Sequence, residues 1–94
     1  MQKLNAQVVK GGKEVTALST GFFDVNANIS KGILDGVNIF VVKYNLGDMI
    51  NECKAINSNS FTFYVTDDDA KIRLFVWKSY AGNEPLTDVY TLSR

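Results

Sequence analysis

The 94 residues carry ten basic and ten acidic side chains, for a formal net charge of zero. The lysines are scattered among acidic residues, which is not the footprint of a general nucleic-acid binder, and no apolar run approaches the length that inserts into a bilayer. With one cysteine, Cys53, and no histidine, the chain can close no internal disulfide, form no Cys/His zinc site and supply no histidine base to a triad.

A hydrophobic content of 46% with a single proline fits one folded domain over residues 1–94. Met1-Gln2-Lys3-Leu4 is followed by polar residues, so no signal-peptide pattern is visible, which leaves a secreted parent protein open.

In chain order the sequence reads as short strands separated by polar punctuation. Over residues 4–9, Leu4, Ala6 and Val8 alternate with Asn5, Gln7 and Val9, as a half-buried first strand requires. Lys10-Gly11-Gly12-Lys13 turns it, because paired glycines reach positive φ without steric cost. Residues 14–18 fit a short strand with Val15 and Ala17 inward. Phe23, Val25, Ala27 and Ile29 then alternate with Asp24, Asn26 and Asn28, the cleanest one-sided pattern in the chain.

Ser30 to Gly36 breaks the pattern, with Ile33 or Leu34 plugging the end of the core. Residues 37–44 read as the longest strand. Val37, Ile39, Val41 and Lys43 share one face, and Asn38, Phe40, Val42 and Tyr44 the other. Asn45-Leu46-Gly47-Asp48 connects it to a returning strand over residues 49–56, where Cys53 reads as a small buried hydrophobe. Phe61, Phe63 and Val65 alternate with Thr62, Tyr64 and Thr66, and Asp67-Asp68-Asp69 turns the chain into residues 71–80. There Ile72, Leu74 and Val76 oppose Lys71, Arg73, Phe75 and Trp77, which predicts an interior strand around which the rest packs. A last strand spans residues 87–92.

About seven or eight strands with turns roughly every ten residues predict an all-β, antiparallel two-layer β-sandwich of the immunoglobulin or fibronectin-III type. A small barrel competes, and strand order would decide. Without a second cysteine the layers must be joined by apolar side chains, with Trp77, Phe23, Phe61 and Phe63 as candidates.

The run Lys71-Ile72-Arg73-Leu74-Phe75-Val76-Trp77-Lys78-Ser79, followed by Glu84-Pro85-Leu86, resembles the closing motif of C-terminal immunoglobulin-like accessory modules. These occur in secreted or cell-surface proteins of Gram-positive bacteria. In them a K-x-K-x-F-x-W strand precedes D-S, a short variable loop and P-L. The strand at residues 37–44, the turn with Gly47 and Phe61-Thr62-Phe63 are similar to the family's V-x-Y-x strand, D-x-x-G turn and F-x-F strand. The resemblance covers residues 22–86, with its specific part at 74–86. It departs at Lys78, where the family commonly has aspartate, so any role tied to that acid lapses here.

The resemblance implies a non-catalytic module of a larger extracellular or surface protein. It would act as a rigid spacer or docking face toward neighbouring domains or a surface protein. No enzyme activity and no cofactor is expected. The alternative is a carbohydrate-binding module, with a polysaccharide as partner, stacking sugar rings on exposed aromatics. Tyr64, Trp77, Tyr80 and Tyr90 are the candidate residues, although Trp77 also fits a place capping the core.

Asp67, Asp68 and Asp69 could offer oxygens to calcium but lack the spacing of a dedicated loop, so a solvated turn is the favoured reading and no metal is expected. Asp24 with Asp88, or Asp35 with Asp48, could pair as glycosidase carboxylates, though no spacing demands it. Lys43, Lys54, Lys71, Arg73 and Lys78 could form a basic strip, but such residues more often blunt sheet edges.

Overall fold

The alternation read from the sequence becomes eight strands in a computed structural model that describes residues 2–29, 38–76 and 86–94. They are β1 (Leu4–Lys10), β2 (Lys13–Glu14), β3 (Gly21–Ile29), β4 (Ile39–Tyr44), β5 (Ile50–Ile56), β6 (Ser60–Val65), β7 (Lys71–Val76) and β8 (Tyr90–Ser93). No helix occurs among the described residues.

Two four-stranded antiparallel sheets form, in the orders β2-β1-β3-β6 and β5-β4-β7-β8. Among the described residues each sheet keeps two free ends. That strand order decides for the sandwich over the barrel, since a barrel would close on itself.

The core lies between the sheets. From the first sheet come Leu4, Val8, Phe23, Val25, Ala27, Phe63 and Val65, and from the second Ile39, Val41, Ile72, Leu74, Val76 and Leu92. Phe23 and Phe63 stack across β3 and β6 with ring centroids 5.4 Å apart, and Phe61 packs against the same cluster. That stack lies within one sheet; Phe23 and Phe63 belong to the core between the layers and Phe61 packs against it, while Trp77 lies outside the described residues. β7 is the expected interior strand, flanked by β4 and β8, with Ile72, Leu74 and Val76 buried.

Several boundaries differ from expectation. Gly11 and Gly12 turn the chain at φ of 60° and 81°, as predicted, but the strand they open ends after Glu14. Val15 still bonds to the Val8 carbonyl and Leu18 to that of Ser93, so Leu18 is buried without being in a strand, and Ala17 is exposed. Among the described residues the longest strand is β3 rather than β4. The last strand begins at Tyr90, because Thr87 instead bridges Gln2 in parallel and its hydroxyl accepts from the Val76 amide at 3.1 Å. The predicted core plug at Ile33 or Leu34, and Trp77 to Pro85 of the closing motif, lie outside the described residues.

Candidate interaction faces

Each sheet turns one face outward, and the two faces differ in chemistry. On the β5-β4-β7-β8 sheet, register places Ala55, Phe40 and Phe75 in one cross-strand row and Cys53, Val42 and Arg73 in the next. Phe40 and Phe75 stack with centroids 5.6 Å apart, and Val42 is only 4% exposed although it faces away from the core. Cys53 is exposed on this face, which corrects its reading as a buried hydrophobe: among the described residues β5 ends its sheet and has a neighbouring strand on one side alone.

A β-bulge follows Lys43, so Tyr44 faces Ile50. Lys71 and Arg73 place their cations 5.1 and 5.2 Å from the Tyr44 ring centroid, a distance at which the ring quadrupole attracts them. Lys71 also reaches Asp48 at 2.7 Å, and that hydrogen bond, with the lysine's charge, holds the Asp48 carboxyl below its usual range. Leu46, Met49 and Ile50 extend the apolar surface at the β4–β5 end, and Val89 joins Tyr44, Arg73 and Phe75 around a shallow depression. The result is an apolar band across three strands with two cations on it.

The outer face of the β2-β1-β3-β6 sheet is polar. Asn5 lies opposite Asn28, Gln7 opposite Asn26, and Asp24 opposite Thr62, with Ser60 beside Asn26. Two adjoining shallow depressions, of about 390 and 490 Å³, share Gln7 and Asn26. Asp24 accepts from the Thr62 hydroxyl at 2.7 Å. At one end of this face Phe22 and Tyr64 meet edge to face with centroids 4.8 Å apart, both exposed.

Tyr64 is thus on the surface, as its alternation with Phe63 and Val65 indicated. Tyr90 is not: it is half-buried against the core from the other sheet, and burial, then the charge of Glu14, pushes its hydroxyl pKa up. The two tyrosines therefore make no single aromatic row. Trp77 and Tyr80 lie outside the described residues. Phe22 is not among the candidates read from the sequence, yet the period-two pattern that turns Phe23 inward puts it outward beside Tyr64.

The aspartate turn is less solvated than expected. Asp69 is 2% exposed; its carboxylate accepts from the Thr66 amide at 2.9 Å, the Thr66 hydroxyl at 3.2 Å and Asn51 at 3.0 Å. Burial pushes the Asp69 carboxyl up, but those hydrogen bonds and the charge of Lys43 outweigh it and hold it below its usual range. Asp67 accepts from Thr20, and Arg94 bonds to the carbonyls of Asp69 and Thr66. Among the described residues no group of three or more His, Cys, Asp or Glu side chains could hold a metal ion.

The acid pairs do not converge. Asp88 caps the Leu4 amide at 2.7 Å, whereas Asp24 lies opposite Val9 at the far end of β1. Five residues of strand separate those partners by about 17 Å, beyond a glycosidase pair. Asp35 lies outside the described residues. The basic strip also fails to assemble. Lys71 and Arg73 face outward, Lys78 lies outside the described residues, and Lys43 is buried toward the other sheet, so it blunts no edge.

No family model matches this sequence, and no curated protein or solved structure matches it either.

Proposed function

We infer that the chain is a non-catalytic accessory module of a larger extracellular or cell-surface bacterial protein. Its work is to dock a neighbouring domain of that protein on the outer face of the β5-β4-β7-β8 sheet. The observation that carries this reading is the apolar band of half-buried Phe40, Phe75 and Tyr44 over buried Val42, continued by exposed Met49, Ile50 and Val89. A contiguous apolar patch on a sheet face otherwise exposed to water is the mark of an interaction surface. Arg73 and Lys71 would add directional contacts at its centre, arginine being favoured at such places.

A second reading rests on a separate observation. The outer face of the other sheet offers amides and hydroxyls beside the Phe22–Tyr64 pair, groups that bind sugar hydroxyls and stack on sugar rings.

Two variants separate these readings. Replacing Met49, Ile50 and Val89 together by serine should weaken calorimetric binding of the adjoining domain by about tenfold, since each removes exposed apolar contact area. Replacing Phe22 and Tyr64 should leave it unchanged. If neutral oligosaccharides bind instead, and only the second variant loses them, the carbohydrate reading replaces the docking one.

A further inference from the structure

We propose that β5 is a self-recognition strand that pairs antiparallel with β5 of a second copy, joining two four-stranded sheets into one of eight strands.

The free edges of the two sheets are unequal. β2 has two residues and β8 four. β6 has six, but its Tyr64 carbonyl is already capped by Lys43. β5 is the longest free edge among the described residues, with seven, and nearly all of it is exposed. An uncovered edge presents unpaired N–H and C=O groups to any strand that fits.

The sequence of β5, Ile-Asn-Glu-Cys-Lys-Ala-Ile, is complementary to itself in the antiparallel direction. A two-fold axis through Cys53 sets Glu52 opposite Lys54 of the other copy and Lys54 opposite Glu52. Opposite charges facing across strands stabilise the pair and like charges destabilise it. Sliding the register by one residue in each chain places either Lys54 opposite Lys54 or Glu52 opposite Glu52. The charges therefore select one alignment among the symmetric ones. The same lysine that would deter an arbitrary strand is matched in a copy of this chain.

Geometry supports a short ladder. The bulge beside Tyr44 turns Asn51 toward Asp68 and Asp69, so of the straight stretch 52–56 the part symmetric about Cys53 is residues 52–54. Glu52 and Lys54 are 3.8 Å apart on one face, with side chains 41% and 61% exposed. Both stay reachable by a partner. The pairing occupies an edge, leaves the apolar outer face uncovered, and so stands apart from the docking reading.

The test uses sedimentation velocity on the full chain, with a short bis-maleimide as cross-linker, since the axis brings the two Cys53 thiols together. Wild type should form a concentration-dependent dimer that cross-links through Cys53. Glu52→Lys and Lys54→Glu should each weaken it by about tenfold, two attractive pairs having become repulsive. The double reversal should restore it, and mixing the two single variants should give a heterodimer. Circular dichroism identical to wild type would establish that each variant folds. A wild type that stays monomeric, or a Glu52→Lys variant that dimerises as well as wild type, would overturn the proposal.

Discussion

The ammonium of Lys43, carried on β4, donates to the backbone carbonyl of Tyr64 on β6 in the opposite sheet, at 2.5 Å. Lys43 lies on the inward face with Ile39 and Val41, is 8% exposed, and also pairs with Glu52 at 3.1 Å. It fastens the open side of the sandwich, where apolar packing gives way to solvent. Removing it takes the donor from the Tyr64 carbonyl and leaves Glu52 to Lys54 and solvent. Lys43→Ala should therefore lower stability by about 1–3 kcal/mol. Urea unfolding, with an unchanged slope and a lower midpoint, checks this.

Asp69 makes the fold acid-sensitive. Its carboxyl is held below the ordinary 3.8, so the folded state binds that proton less readily than the unfolded chain does. Its stabilisation is complete above the unfolded value and is lost as pH falls through the folded one. Stability measured by urea titration should decline on acidification below about pH 4. Asp69→Asn should flatten that decline while costing about 1–3 kcal/mol at neutral pH, because its single amide oxygen can accept from Thr66 or from Asn51 but not both, and its NH2 then faces the other donor.

Tyr90 acts at the other end of the pH scale. Burial and then Glu14 raise its pKa above 10.0, so the unfolded chain releases the proton first. The contribution is intact below the unfolded value and declines as pH rises past it. Ultraviolet titration should find one phenol ionising late, and Glu14→Gln should move it partway back without abolishing the shift.

Phe23 is fully buried and stacked on Phe63. Phe23→Ala should cost about 3–5 kcal/mol through lost burial and the cavity left behind. Phe22→Ser, one residue away on the exposed face, should change the unfolding midpoint little.

That contrast between Phe22 and Phe23 also marks what could be read in the chain beforehand. Period two assigned Phe23, Val25 and Ala27 to the core because a one-sided strand writes its environment directly into its residues. It also set Lys43 on the apolar face of its strand, a visible anomaly. Its meaning needed Tyr64, which is 21 residues away and brought near only by the stacking of sheets. Which of three consecutive aspartates would be buried was not legible, since Asn51 and Thr66 select Asp69 through contacts that close with the fold. The exposure of Cys53 was hidden for the same reason: a strand's place at a sheet edge is a property of topology, not of its own residues. The self-complementarity of β5 was present in the letters, but it acquires physical content only once that edge is known to be open.

The docking claim is tested most directly by recording amide chemical shifts of the labelled chain before and after the adjoining domain of its polypeptide is added. The account predicts changes concentrated at Phe40, Val42, Tyr44, Arg73 and Phe75, with Gln7, Asn26 and Thr62 unmoved. Changes confined to the polar face, or none on either sheet, would contradict it.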